Sequence, residues 1–155
     1  MGQNTSVLFV CLGNICRSPT AEAVFLAKAA RAGLKLDVGS AGTHGYHIGK
    51  QPDKRSQAVG VERGYSFKGL KCRRVDDKDF EKYDYILAMD NSNLDNLREM
   101  SPPEHHEKIH LFLDFANSED KEVPDPYYGG KRGFELVLDL IEEASDGLIA
   151  HIQQS

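Results

Sequence analysis

Two rhythms of apolar positions run along this chain. Ser6 to Val10 (SVLFV) is an unbroken apolar, β-branched-rich run, the pattern of a strand covered on both faces within a parallel sheet. From Ser18 the rhythm changes to a helical one. Ser18 is placed to cap, Pro19 suits the first helical position, and the alanine-rich stretch that follows stops at Gly33. The alternation then repeats. Leu36 to Ser40 reads as a second strand, Asp53 caps a helix ending near Gly64, and Tyr85 to Met89 (YILAM) is a third strand. Ser92 to Met100 is helical up to Pro102 and Pro103, and Ile109 to Leu113 is a fourth strand. The last segment shows the clearest helical period, with Phe134, Leu138, Ile141, Ala144, Leu148 and Ile152 on one face.

Strands alternating with helices predict an α/β fold: a central four-stranded parallel sheet with helices on both faces, joined by right-handed crossovers. Two long stretches fall outside the periodic elements, Ala41 to Pro52 and Asp114 to Gly130. Both follow strands. In an open α/β sheet, ligands bind beyond the carboxyl ends of the strands, so these loops and the one after the first strand mark the expected site.

Length and composition refine this picture. With 155 residues the chain is expected to form one domain, 1–155, large enough to bury its own core. Lys and Arg number 19 against 24 Asp and Glu, and the net charge of −5 removes any long-range attraction for nucleic acid or an anionic membrane. It does not exclude an anionic substrate held by a local positive site. No stretch approaches 18 apolar residues, and the N-terminus lacks a basic region followed by a long apolar one. With three cysteines and no targeting signal, the chain reads as cytoplasmic, with reduced thiols.

Chemistry concentrates in the loop after the first strand, Cys11-Leu12-Gly13-Asn14-Ile15-Cys16-Arg17-Ser18. Successive amides in a tight loop, followed at once by a helix N-terminus, make a cradle for an anion, and Gly13 and Asn14 tolerate the dihedrals such a turn needs. The planar fork of Arg17 matches two oxygens of a phosphate. Cys11, at the strand's end, faces the base of this cradle, where the amides, the helix end and Arg17 favour its thiolate. A thiolate beneath a phosphoryl group is a nucleophile aimed at phosphorus. Displacement of an oxygen leaving group also needs a proton donor, and Asp125, stiffened between Pro124 and Pro126, is the candidate.

The spacing C-x5-R-[ST] within VCLGNICRSP, directly after an apolar N-terminal strand, resembles the phosphate-binding loop of the low-molecular-weight protein tyrosine phosphatase family. The resemblance continues through SAGT (Ser40 to Thr43), YILAMD (Tyr85 to Asp90) and Asp125-Pro126-Tyr127-Tyr128. It implies a phosphotyrosine phosphatase with a cysteinyl-phosphate intermediate: Cys11 as nucleophile, Arg17 and residues Leu12 to Ser18 as phosphate-binding loop, and Asp125 as acid then base. It further implies that Leu12, Ile15, Tyr46, His47, Tyr127 and Tyr128 form the substrate rim. Asn14, Ser18 and Ser40 would support the loop from behind, and Asp90 is similar to an acid of the family that stands behind the site. Cys16 would guard Cys11 by a reversible disulfide. No cofactor and no metal are implied. The expected partner is a phosphotyrosine protein, in opposition to a tyrosine kinase, and the expected state is a monomer with weak self-association. A histidine of the animal enzymes has no match in Gly64 to Val75.

Three other functions can be weighed against this. An arsenate reductase on the same scaffold needs two further cysteines about seven residues apart, and Cys72 stands alone in sequence. A phosphoarginine phosphatase resembles threonine-bearing relatives at the position of Ile15, where an isoleucine offers only apolar contact. A non-catalytic phosphate-binding module would tolerate loss of Cys11 or Asp125, and both are present. The spacing of the cysteines and of His105 and His106 does not suit zinc, and Gly39 to Gly45 lacks the dinucleotide fingerprint.

Overall fold

The computed structural model describes residues 5–45, 47–126 and 130–154. Strand β1 spans Ser6–Cys11, helix α1 Arg17–Arg31, β2 Asp37–Gly42, α2 Lys54–Glu62, α3 Asp77–Lys82, β3 Tyr85–Ala88, α4 Asn91–Met100, β4 Ile109–Leu111 and α5 Gly130–Gln154. The four strands are parallel, in the order β2-β1-β3-β4. The α/β architecture expected from the alternation is the one observed, with β1 at the centre.

Period-two patterning divides the core between the two faces of the sheet. Val7, Phe9 and Cys11 join Leu87, α1 and α5 on one face, where Phe9 meets Phe25 and Phe112 edge to face at 5.4 and 4.9 Å. Leu8 and Val10 join Ile86 and Ala88 on the other, packed against Phe80 of α3 and Leu94 and Leu97 of α4. All six periodic residues of α5 are buried, and the helix packs against α1, α2 and the turn at Phe112–Phe115.

The differences from expectation lie at element ends and in short polar segments. β1 runs one residue further, to Cys11, and β4 stops at Leu111, where a 3-10 turn over Phe112–Phe115 takes over. Helix α3 is unheralded by any apolar period. It forms because Asp76 and Asp79 make a reciprocal capping box, Asp76 receiving the backbone and Asp79 receiving the Asp76 amide. A 3-10 segment over Pro103–Lys108 fills what read as a loop. Ser18 is not the cap of α1: the helix begins at Arg17 with Cys16 in the cap position and no side-chain cap bond. The Ser18 hydroxyl is committed elsewhere, as described below.

Candidate active site

The loop between β1 and α1 is shaped by where its carbonyls go. The carbonyl of Cys11 accepts from the Thr43 amide at 3.0 Å, that of Leu12 from His44 at 3.0 Å and that of Ile15 from Asp53 at 2.8 Å. The Cys16 carbonyl accepts from the Thr20 hydroxyl at 2.7 Å. Each outward carbonyl turns an amide toward the concave side. No amide from Gly13 to Ser18 donates to another protein group among the described residues. With the N-terminus of α1 adding its partial positive charge, the concavity is an anion site built of backbone.

Two residues allow the curl. Asn14 has φ of 56°, the left-handed region that asparagine enters more readily than most residues. Gly42, at the end of β2, lies so near the loop that a Cβ there would stand 2.9 Å from the Gly13 carbonyl carbon, the Leu12 oxygen and the His44 oxygen.

Behind the sulfur runs a chain of hydrogen bonds. The Arg73 amide donates to Asn14 Oδ1 at 2.9 Å, Asn14 Nδ2 donates to Ser18 Oγ at 2.8 Å, and Ser18 Oγ lies 3.0 Å from Cys11 Sγ. Asn14, Ser18 and Cys11 are all buried. Gly64 to Val75, which lacks the animal enzymes' histidine, thus supports the loop with a backbone amide. Ser40 does not brace the loop as expected: its hydroxyl donates to Glu22 Oε1 of α1 at 2.6 Å.

Arg17 is buried and held from one side. Its Nη1 donates to Asp90 Oδ2 at 2.7 Å and to the Val123 carbonyl at 3.0 Å, leaving Nε and Nη2 as the fork offered to an oxyanion. Burial alone would lower the Arg17 pKa, but the neighbouring Cys11, Asp90 and Asp125 reverse this and raise it, so the cation is secure. Asp90 also caps α4, accepting from the Asn93 amide at 2.7 Å, so one carboxylate both holds Arg17 and starts the helix.

The segment bearing Asp125 is tied to the end of β3. The Val123 amide donates to the Met89 carbonyl at 2.7 Å, and Glu122 Oε2 accepts from the Asn91 amide at 2.8 Å. Asp125 itself is exposed and faces the same cleft as Cys11, Leu12, Ile15, Arg17 and His47, a space of about 330 Å³. The structure therefore brings together all the sequence-expected site residues that it describes, except Ser40. Tyr46, Tyr127 and Tyr128 lie outside the described residues.

Asp53 and Arg55 also line this cleft and were missed as site residues. Asp53 was legible only as a helix cap, which it is, accepting from the Arg55 amide at 2.8 Å. The same turn places the Arg55 guanidinium over the Phe134 ring, 4.9 Å from its centroid. Cys16 is buried with a free thiol whose pKa is pushed up to about 12, first by burial and then by the charge of Asp53. Among the described residues no three His, Cys, Asp or Glu stand together as a metal site, and no helix is long and apolar enough to cross a membrane.

Comparison with known proteins agrees with this geometry. The family model for low molecular weight phosphotyrosine protein phosphatase matches residues 6–155. The low molecular weight protein-tyrosine-phosphatase YfkJ of Bacillus subtilis is 45% identical over 152 residues, covering 96% of each chain. A crystal structure of a protein tyrosine phosphatase from Entamoeba histolytica superposes with a TM-score of 0.94 at 44% identity, covering 97% of this chain and 98% of that one. A Drosophila arginine phosphatase superposes with a TM-score of 0.88 at 35% identity, covering 94% of this chain and 96% of that one.

Proposed function

The chain belongs to the low molecular weight phosphotyrosine protein phosphatase family, and from that premise we propose that it hydrolyses phosphotyrosine through a phosphorylated Cys11. The substrate's phosphoryl oxygens rest on the amides of Leu12 to Ser18 and on the Nε–Nη2 side of Arg17. Cys11 attacks phosphorus as a thiolate, and Asp125 protonates the departing phenolate. The same carboxylate then takes a proton from the water that opens the cysteinyl phosphate, while Ser18 donates to the sulfur as the P–S bond breaks. The observation that carries this reading is the outward commitment of the loop carbonyls around Cys11, with Ser18 behind the sulfur at 3.0 Å.

Substrate class follows from the cleft. Its wall at Ile15 is apolar and suits an aryl ring; a guanidinium there would lose hydrogen bonds to water without replacement. This favours phosphotyrosine over the phosphoarginine chemistry named for the Drosophila relative. The arsenate reductase reading lacks its relay, since Cys72 is buried against the Gln51 carbonyl at 3.9 Å with no further cysteine beyond Cys11 and Cys16. In this reading the substrate is a phosphotyrosine protein, and the enzyme opposes a tyrosine kinase in the cytoplasm as a monomer with weak self-association, without a cofactor. Leu12 and His47 supply the part of the substrate rim that lies within the described residues. Cys16 serves as the resolving thiol: once peroxide converts Cys11 to a sulfenic acid, the Cys16 sulfur displaces water to form the disulfide.

The decisive test is Cys11→Ser, read on p-nitrophenyl phosphate and on matched phosphotyrosine, phosphoserine and phosphoarginine peptides. Turnover should vanish while vanadate binding persists, and the wild type should prefer phosphotyrosine. Retained turnover in the variant rules out the covalent route; preference for phosphoarginine moves the substrate class to the rival.

A further inference from the structure

We infer that the mouth of the active site is electrically lopsided and reads the charge on one flank of the phosphotyrosine, selecting substrates with acidic residues on that flank alone. The inference rests on the phosphatase reading above and adds the polarity of the peptide.

The sheet order sets the two sides. The phosphate loop follows β1, the segment after β2 lies on one side of it, and the segment bearing Asp125 lies over the end of β3 on the other. On the β2 side, two strands of loop run together: the Cys72 amide donates to the Lys50 carbonyl and the Gly49 amide to the Cys72 carbonyl, each at 2.8 Å. This pairing brings Lys50 beside Lys71, with Lys54 and Arg74 a few residues further along the two segments, and all four are exposed. None of the four forms an ion pair with a carboxylate among the described residues, in contrast to Arg17, Arg55 and Arg73, which do. The Lys50 amide donates to the carbonyl of His47, which lines the cleft, at 3.0 Å, and the Arg73 amide donates to Asn14 Oδ1 at 2.9 Å, so this edge stands beside the phosphate loop.

On the β3 side the charge reverses: Glu119, Asp120 and Glu122 are exposed on the segment leading to Asp125, with Lys121 as the opposing charge, around a second cavity that Asn91 and Pro124 also line. An acidic residue on a bound peptide is therefore attracted on the β2 side and repelled on the β3 side. Charges lining a cleft mouth act mainly on encounter, so the effect belongs in kcat/KM and weakens with salt.

Two phosphotyrosine peptides carrying three glutamates, on the N-terminal flank in one and on the C-terminal flank in the other, separate the alternatives. At low salt their kcat/KM values should differ by roughly tenfold, within the range of electrostatic steering, and converge at high salt. Lys50→Glu with Lys71→Glu should abolish or invert the preference, and the neutral pair Lys50→Gln with Lys71→Gln should halve it on a logarithmic scale. Both variants should keep wild-type turnover of p-nitrophenyl phosphate, which also certifies their folding. Equal kcat/KM for the two peptides, or a preference that survives the charge reversal, overturns the proposal while leaving the phosphatase reading intact. Failure of the wild type to hydrolyse p-nitrophenyl phosphate overturns that reading instead.

Discussion

Ser18 Oγ lies 3.0 Å from Cys11 Sγ and accepts a hydrogen bond from Asn14 Nδ2 at 2.8 Å. Because Asn14 occupies the acceptor side of the hydroxyl, the Ser18 proton has two destinations, the sulfur or the Ala41 carbonyl at 3.5 Å. The shorter contact to sulfur wins whenever Cys11 carries charge. Ser18 is thus a proton donor timed to the moment the thiolate is released.

Removing that donor should slow the second half of the reaction more than the first. A hydrogen bond to a charged group contributes about 1.5–3 kcal/mol, so Ser18→Ala should lower the rate of intermediate breakdown by roughly 10- to 100-fold. Stopped-flow hydrolysis of p-nitrophenyl phosphate should then show a burst of p-nitrophenol. An unchanged steady-state rate with no burst would mean that Ser18 only packs.

Gly42→Ala tests the close approach of β2 to the phosphate loop. The new methyl would meet backbone atoms of Gly13, Leu12 and His44 at 2.9 Å, and backbone cannot swing aside as a side chain can. Overpacking of this kind costs about 1–3 kcal/mol, and here the strain falls on the anion cradle itself. Urea unfolding should show the stability loss, and vanadate affinity should fall with it. A variant with wild-type vanadate affinity would show that the loop has room to shift.

Asp125→Asn keeps the shape of the side chain and removes its proton. Phenyl phosphate, with a poor leaving group, should lose about 10²- to 10⁴-fold in kcat/KM, whereas p-nitrophenyl phosphate should lose far less. Equal losses on both substrates would assign Asp125 a role in binding rather than in proton transfer.

Glu22 supplies a pH signature away from the chemistry. Burial raises its pKa above the ordinary 4.5, against the opposing pull of the Ser40 hydrogen bond and of Arg73. A carboxyl whose folded-state pKa exceeds its unfolded one contributes stability that is complete below pH 4.5 and is lost as pH rises through the raised value. Glu22→Gln retains an oxygen for Ser40 and has no proton to lose. Relative to wild type it should therefore gain stability in urea unfolding as pH rises from 4.5 through the raised value, and the gain should level off above it. Parallel pH profiles for the two proteins would show that Glu22 titrates normally.

What could be read from the chain before its structure was whatever depends on local pattern. The apolar run of β1, the period of α5 and the spacing of Cys11 and Arg17 each carry their meaning within a few residues. Helix α3 escaped because its stability comes from an aspartate pair at its entrance and from Phe80 alone packing on the sheet. The cap reading of Ser18 and the brace reading of Ser40 failed for a related reason, while Ser18 does support the loop. A serine before a helix reads as a cap unless a sulfur seven residues back claims its hydroxyl, and a serine at a strand's end gives no sign that its partner is Glu22 on another element. Arg55 entered the cleft wall through the geometry of a cap that was itself correctly read.

The hydrogen bonds that shape the cradle also set when it can exist during biosynthesis. Asn14 waits for the amide of Arg73, 59 positions downstream, and Arg17 for the carbonyl of Val123, 106 positions downstream. A nascent chain that has emerged only through β1 and α1 holds every atom of the phosphate loop but, of the contacts that turn its carbonyls outward, only that of the Thr20 hydroxyl on Cys16; those on Cys11, Leu12 and Ile15 wait for Thr43, His44 and Asp53. Oxyanion binding should therefore appear late on the ribosome, after the β3 end and the Asp125 segment are both out. Any ligand that fills the cradle then stabilises the whole molecule by mass action, so that phosphate in the surroundings acts as a folding cofactor for the enzyme that releases it.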